Sequence, residues 1–218
     1  VNLLLYHRLA LAAFHHNDVA QALQLLAEAM EETAMSPHTY QFRLLAGECY
    51  TRLGRWEEAT EALQLALALA QKGNNPLAVT SVRRAQADLA LAQGNTAVAV
   101  PYAEALLPLL TGAPLPAASE PLRLYWTCYR TLQANNDPRA AGVLAATHGL
   151  LQSQAALIQD DALRQTFLYQ VATNWAIAAE WKRTQDNEGP TARQTGPAGQ
   201  ESFIPPVAGE RPAELLGE

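Results

Sequence analysis

The stretch that decides the fold runs from Gln41 to Ala66, QFRLLAGECYTRLGRWEEATEALQLA. Arg43, Ala46-Gly47 and Tyr50 lead into the turn Gly54-Arg55-Trp56, and Ala59, Leu63 and Ala66 follow it. Small and apolar residues at spacings of three and four on both sides of a turn predict two antiparallel helices. Gly47 and Ala59 would let the two backbones approach closely. Tyr50, Trp56 and Leu63 would fill the space between this pair and the next.

Working outward, the same punctuation recurs at Asn17-Asp18-Val19, Gly94-Asn95-Thr96 and Asn136-Asp137-Pro138, each expected to supply a helix stop and an N-cap. Five residues after each turn begins stands an alanine. These are Ala22, Ala59, Ala99 and Ala141, separated by about 37, 40 and 42 positions. The connections Met35-Ser36-Pro37, Gly73-Asn74-Asn75-Pro76 and the Pro-rich Gly112 to Pro121 account for this long period. The pattern predicts helices over 2–16, 18–34, 37–53, 56–72, 75–93, 97–111, 119–135 and 138–158. Pro101 and Pro108 lie inside the sixth of these and predict a late start or a kink there. A ninth helix is expected after the Asp160-Asp161 cap, where Leu163, Phe167, Val171, Trp175, Ala178 and Trp181 recur at helical spacing. Such a helix would close the open end of a stack. The repeat domain is therefore expected to cover residues 1–182. Residues 183–218, with Gly189-Pro190, Gly196-Pro197 and Pro205-Pro206, have little apolar surface to offset the entropy of ordering and are expected to form a disordered C-terminal tail.

The repeat unit resembles the tetratricopeptide repeat. That resemblance implies an all-α, right-handed superhelix of about four helix pairs plus a C-terminal capping helix, with the first helix of each pair lining a concave groove. Counting back from each turn then selects the groove residues. They are His7, Leu11, Phe14 and His15 in the first pair, Gln41, Leu44, Glu48 and Arg52 in the second, Arg84 and Asp88 in the third, and Arg123, Trp126 and Arg130 in the fourth. The groove is expected to be apolar at one end and basic at the other, with Arg123, Trp126 and Arg130 the main partner contacts, because Trp and Arg dominate interface energetics. Family members that grip an acidic chaperone tail need paired Lys and Asn residues, whereas His7, Leu11, Ser81 and Arg84 stand near those places here. Two further runs, Arg123-Leu124-Tyr125-Trp126-Thr127-Cys128-Tyr129-Arg130 with Asn136 to Ala140, and Leu163 to Leu168 with Val171, Ile177 and Trp181, resemble the C-terminal repeat region of large bacterial signal-transduction ATPases. The chain departs from that ending at Ala172, Asn174 and Trp175. The resemblance implies a protein-interaction or regulatory scaffold module, the C-terminal part of a larger cytosolic protein. The alternatives are the effector-binding arm of a transcription regulator, or the C-terminal region of a nucleotide cyclase whose catalytic domain lies upstream.

Composition narrows the remaining classes. A net charge of -6 and a pI near 5.4 argue against a broad phosphate-binding surface, so direct nucleic-acid binding is not expected. The longest apolar runs, such as Leu65 to Ala70, are far too short to cross a bilayer. Cys49 and Cys128 lie far apart inside helical patterns, which fits a reducing, cytoplasmic setting without a disulfide or zinc framework. Val1-Asn2 leads directly into a helical pattern, so the chain is expected to be the end of something longer. His15 and His16 are neighbours on a helix, point about 100° apart, and have no ligand partner at the next turn. Glu57 and Glu58 are explained by a helix first turn. No nucleophile elbow or phosphate-cradling loop occurs, so no catalytic, cofactor or metal residues are expected. The expected partner is a protein or peptide segment, which an upstream domain of the same protein could supply.

Overall fold

The four aligned turns adopt one backbone geometry. Asn17, Gly54, Gly94 and Asn136 have φ of 64°, 70°, 75° and 53°, the left-handed region that Gly and Asn tolerate best. The next amide in each turn donates to a carbonyl five residues back: Asp18 to Ala13, Arg55 to Tyr50, Asn95 to Ala90 and Asp137 to Leu132, all at 2.9 Å. This double-bonded ending satisfies carbonyls that a helix terminus would otherwise leave bare. Asn74 (φ 47°) repeats it between the second and third pairs. Asp18 also caps the following helix by accepting from the Gln21 amide at 3.0 Å. Arg55 has no capping side chain to offer and pairs instead with Glu58.

The computed structural model describes residues 3–32, 39–110 and 120–187. Among them lie ten helices and no strand: α1 (Leu3–His15), α2 (Val19–Glu32), α3 (Tyr40–Arg52), α4 (Trp56–Lys72), α5 (Pro76–Ala92), α6 (Thr96–Leu110), α7 (Pro121–Ala134), α8 (Ala140–Ala156), α9 (Asp161–Tyr169) and α10 (Ala172–Asn187). Helices α1 to α8 form four antiparallel pairs, and the second helix of each pair also packs on the first helix of the next. The first helices touch one another in order, α1 with α3, α3 with α5 and α5 with α7. They make the inner layer of an all-α superhelix. The core is a row of local clusters, as a stack requires. Phe14, Leu26 and Phe42 centre one, Leu63 and Val82 the next, Leu106, Leu124 and Leu144 a third, and Leu151 and Ile177 the last.

Close approach within the second pair rests on Gly47. A Cβ there would stand 2.6 Å from Leu63 Cδ2, so only hydrogen leaves room for that leucine. Ala22, Ala59 and Ala99 are fully buried at the matching place in their pairs.

Four expectations need correction. Trp56 does not fill the space between pairs; it is 38% exposed and its ring lies beside Gly54. Ala141 is exposed and Val143, two residues on, takes the buried place. The cause is the start of α8 at Ala140, after Pro138 and an Asp137 carboxylate that accepts from the Arg139 amide. Of the late start or kink expected for α6, the late start does not occur: the helix runs from Thr96 with both prolines inside it. The closing element is two helices, not one. Asn174, almost fully buried, donates to the Phe167 carbonyl at 2.8 Å, which satisfies the end of α9 and favours a break before α10.

Helix α10 packs on α8 and α7 as α3 packs on α2 and α1, so it occupies the place of a fifth first helix, with α9 as the connector. It ends at Asn187, five residues past the expected domain limit at 182. Residues 188–218, most of the expected tail, lie outside the described residues, as do the Pro-rich connections at 35–37 and 112–119.

Candidate functional site

Glu48 on α3 organises the inner face. Its Oε1 accepts from Arg84 Nη2 on α5 and, at 2.9 Å, from Arg123 Nη2 on α7. Arg84 Nη1 donates to Asp88 Oδ2 at 2.8 Å. The other oxygen of Asp88 accepts from Thr127 Oγ1 at 3.0 Å and from Arg130 Nη1 at 3.3 Å. Arg123 also donates to Glu120 at 2.8 Å. One chain of charge-assisted bonds thus ties three successive first helices together. Burial alone would raise the Glu48 carboxyl, but the Arg123 and Arg84 guanidiniums outweigh it and hold the group at about 2. Burial would lower Arg123, yet Glu48, Glu120 and Asp88 move it above the usual arginine range. Glu48 and Arg123 therefore both carry charge at neutral pH.

Around this chain the inner face forms hollows in series. The central one, about 290 Å³, is lined by Phe14 of α1, Glu48, Thr51 and Arg52 of α3, Asp88 of α5, Arg123, Trp126 and Arg130 of α7, and Thr173 of α10. A second, about 180 Å³, takes His7, Leu11, Gln41, Leu44, Arg84 and Glu120. Glu48 and Arg123 line both, so their ion pair divides the two. A third, about 360 Å³, continues past Trp126 and Arg130 to Tyr129 and Glu180.

The residues selected from the repeat register are therefore brought to one surface, with different degrees of access. Phe14 is 2% exposed and lies under the Arg52 guanidinium, whose carbon stands 3.5 Å from the ring centre. Arg52 also donates to the Phe14 carbonyl at 2.7 Å. Trp126 is half-buried and stacks on Tyr129 at 5.2 Å. Arg84 is 3% exposed and Arg130 41%. His7 meets the edge of Phe42, and burial followed by Arg8 lowers its pKa. His15 is lowered mainly by burial and then by Arg123. The surface is not split into an apolar and a basic end; the arginines alternate with carboxylates that neutralise part of their charge.

The pairing within this surface was not anticipated from sequence, and neither were Thr51, Thr127, Glu120 or Thr173. A signal existed. Glu48 to Arg84, Phe14 to Arg52 and Asp88 to Thr127 are separated by 36, 38 and 39 residues, close to one repeat, so groups one period apart on first helices become neighbours.

Residues 13–80 match the tetratricopeptide repeat family model. The matched segment runs from the end of α1 into α5 and holds the Gly47–Leu63 contact, Glu48 and Arg52. No curated protein and no solved structure matches the chain. The tetratricopeptide repeat generally mediates protein–protein interaction and is typically a non-catalytic scaffold. Among the described residues no helix is long and apolar enough to cross a membrane.

Proposed function

We propose that the chain is a protein-interaction module that receives a peptide segment along its inner face, between α1, α3, α5, α7 and α10. The observation that carries this is the central hollow: five helices from separate parts of the chain converge there, and a half-buried tryptophan stands beside arginines. Pockets of this composition suit side-chain anchors. The hollows succeed one another along the layer, which fits an extended segment better than a small molecule. We place the module in the C-terminal part of a larger signalling ATPase, on the resemblance of Leu122 to Trp181, and in the cytoplasm. Burial pushes the free thiols of Cys49 and Cys128 up to about 12, which suits an unreactive, reduced role.

The test is selection of random twelve-residue displayed peptides on the immobilised full chain, followed by fluorescence anisotropy with the enriched peptides. Arg130→Ala, at a 41% exposed side chain of the same hollow, should weaken them at least tenfold while the circular-dichroism melt stays within a few degrees. Equal binding to the variant would overturn the assignment of the surface.

A further inference from the structure

The central hollow holds more positive than negative charge. Arg52, Arg123 and Arg130 line it against Glu48 and Asp88, buried Arg84 bonds to both of those carboxylates, and Arg123 is also paired with Glu120, so four guanidiniums meet three carboxylates. Glu48 and Asp88 are thus each shared between two guanidiniums. Arg52 has no carboxylate within ion-pair distance among the described residues and donates to the Phe14 backbone carbonyl. This excess sits in a chain whose net charge is -6, so it is local and points at an acidic occupant.

Such a segment exists in the chain itself. Residues 188–218 contain five glutamates and two arginines, and their last nine residues read Glu210-Arg-Pro-Ala-Glu214-Leu215-Leu216-Gly-Glu218. Two adjacent leucines flanked by glutamates match a hollow lined by Trp126 and by Arg52, Arg123 and Arg130. The distances allow it. Helix α10 begins at the hollow, at Thr173, and ends at Asn187, so the chain must return over about 21 Å, one helix length. Glu214 lies about 27 residues beyond Asn187, and a Gly- and Pro-containing chain of that length has an average end-to-end distance of about 30 Å. Return of the segment is then an intramolecular event at an effective concentration on the order of millimolar.

We propose that the Glu210–Glu218 segment of this same chain docks in the central hollow, Glu214 reaching Arg52 and Arg130 and Leu215-Leu216 resting against Trp126, so that it competes with an incoming partner. This rests on the peptide-binding assignment above and adds self-occupancy to it.

The experiment uses the full chain with a benzophenone photo-crosslinking residue at Leu215, irradiated at low micromolar concentration and mapped by mass spectrometry. Crosslinks within one chain to peptides of α3 and α7 are expected. They should fall at least fivefold in the Glu214→Lys/Glu218→Lys variant, whose circular-dichroism melt should stay within a few degrees of the unaltered chain, and return when Arg52→Glu and Arg130→Glu are added. Crosslinks between two copies, crosslinks elsewhere, or insensitivity to the charge swap would each overturn the proposal. A second measurement separates its failure from that of the binding surface. Enriched peptides should bind the charge-swapped chain at least threefold tighter than the unaltered chain. Equal affinity would remove self-occupancy and leave the peptide-binding surface standing.

Discussion

Gly47 and Gly149 sit in helices of the same fold and should respond oppositely to a methyl group. At Gly47 the added carbon meets Leu63, a buried side chain of the packed pair, at 2.6 Å. At Gly149 on α8 nothing lies within 4 Å. Gly47→Ala should therefore destabilise by about 1–3 kcal/mol through overpacking, and Gly149→Ala should stabilise by about 0.5–1 kcal/mol through helix propensity alone. Urea denaturation of the two variants checks both; equal effects would mean that Gly47 is not the contact between the helices of its pair. The glycine was legible from its place beside Ala59. Trp56 was not, because spacing tells which residues share a helix face but not whether a neighbour arrives to cover it. Only the start of α4 at this residue, on the outer side of the turn, shows why it stays 38% exposed.

At the scale of elements the repeated helix endings matter most. Gly94 closes α5 at φ 75° with open space around its missing side chain, so a substitution there strains the backbone without a clash. Gly94→Ala should destabilise by about 1–2 kcal/mol, read by thermal melting. A loss under about 0.3 kcal/mol would mean that the turn does not hold its left-handed form in solution. These endings were readable because Gly and Asn announce left-handed positions directly. The break between α9 and α10 was hidden: no Gly or Pro marks it, and its cause is a bond from Asn174 to a carbonyl seven residues away. The two-residue shift of α8 was masked likewise, since it arises from Asp137 and Pro138 together.

For the whole molecule, the Glu48 chain of ion pairs joins α3, α5 and α7 into one body, and its pH response follows from sign. The carboxyl sits at about 2 when folded against about 4.3 in an unfolded chain. Its stabilisation is therefore full above about pH 4.3 and is lost as pH falls toward 2, a change on the order of 3 kcal/mol. Glu48→Gln should cost about 3 kcal/mol at neutral pH, because the buried Arg84 and Arg123 lose the carboxylate they share and Arg84 keeps Asp88 alone, and should flatten the acid limb of stability against pH. Urea melts from pH 2 to 7 on both proteins decide it; parallel curves would remove Glu48 as the acid-sensitive tie. The resemblance to the repeat puts His7, Leu44, Glu48, Arg84, Asp88 and Arg123 on first helices, and these line the hollows of the inner face, whereas nothing marked Thr51, Thr127, Glu120 or Thr173. The charge balance of that face was not legible, because which arginine meets which carboxylate depends on how far one pair is rotated over the next.

Helix α10 fills the seat that another repeat would take, and its outward side carries the exposed Trp175 together with Lys182, Arg183 and Asp186. Leu4 and Leu9 stand exposed on α1 at the opposite limit. The array is consequently asymmetric between its two described limits: α1 turns bare leucines to solvent, whereas α10 turns a tryptophan set among charged groups.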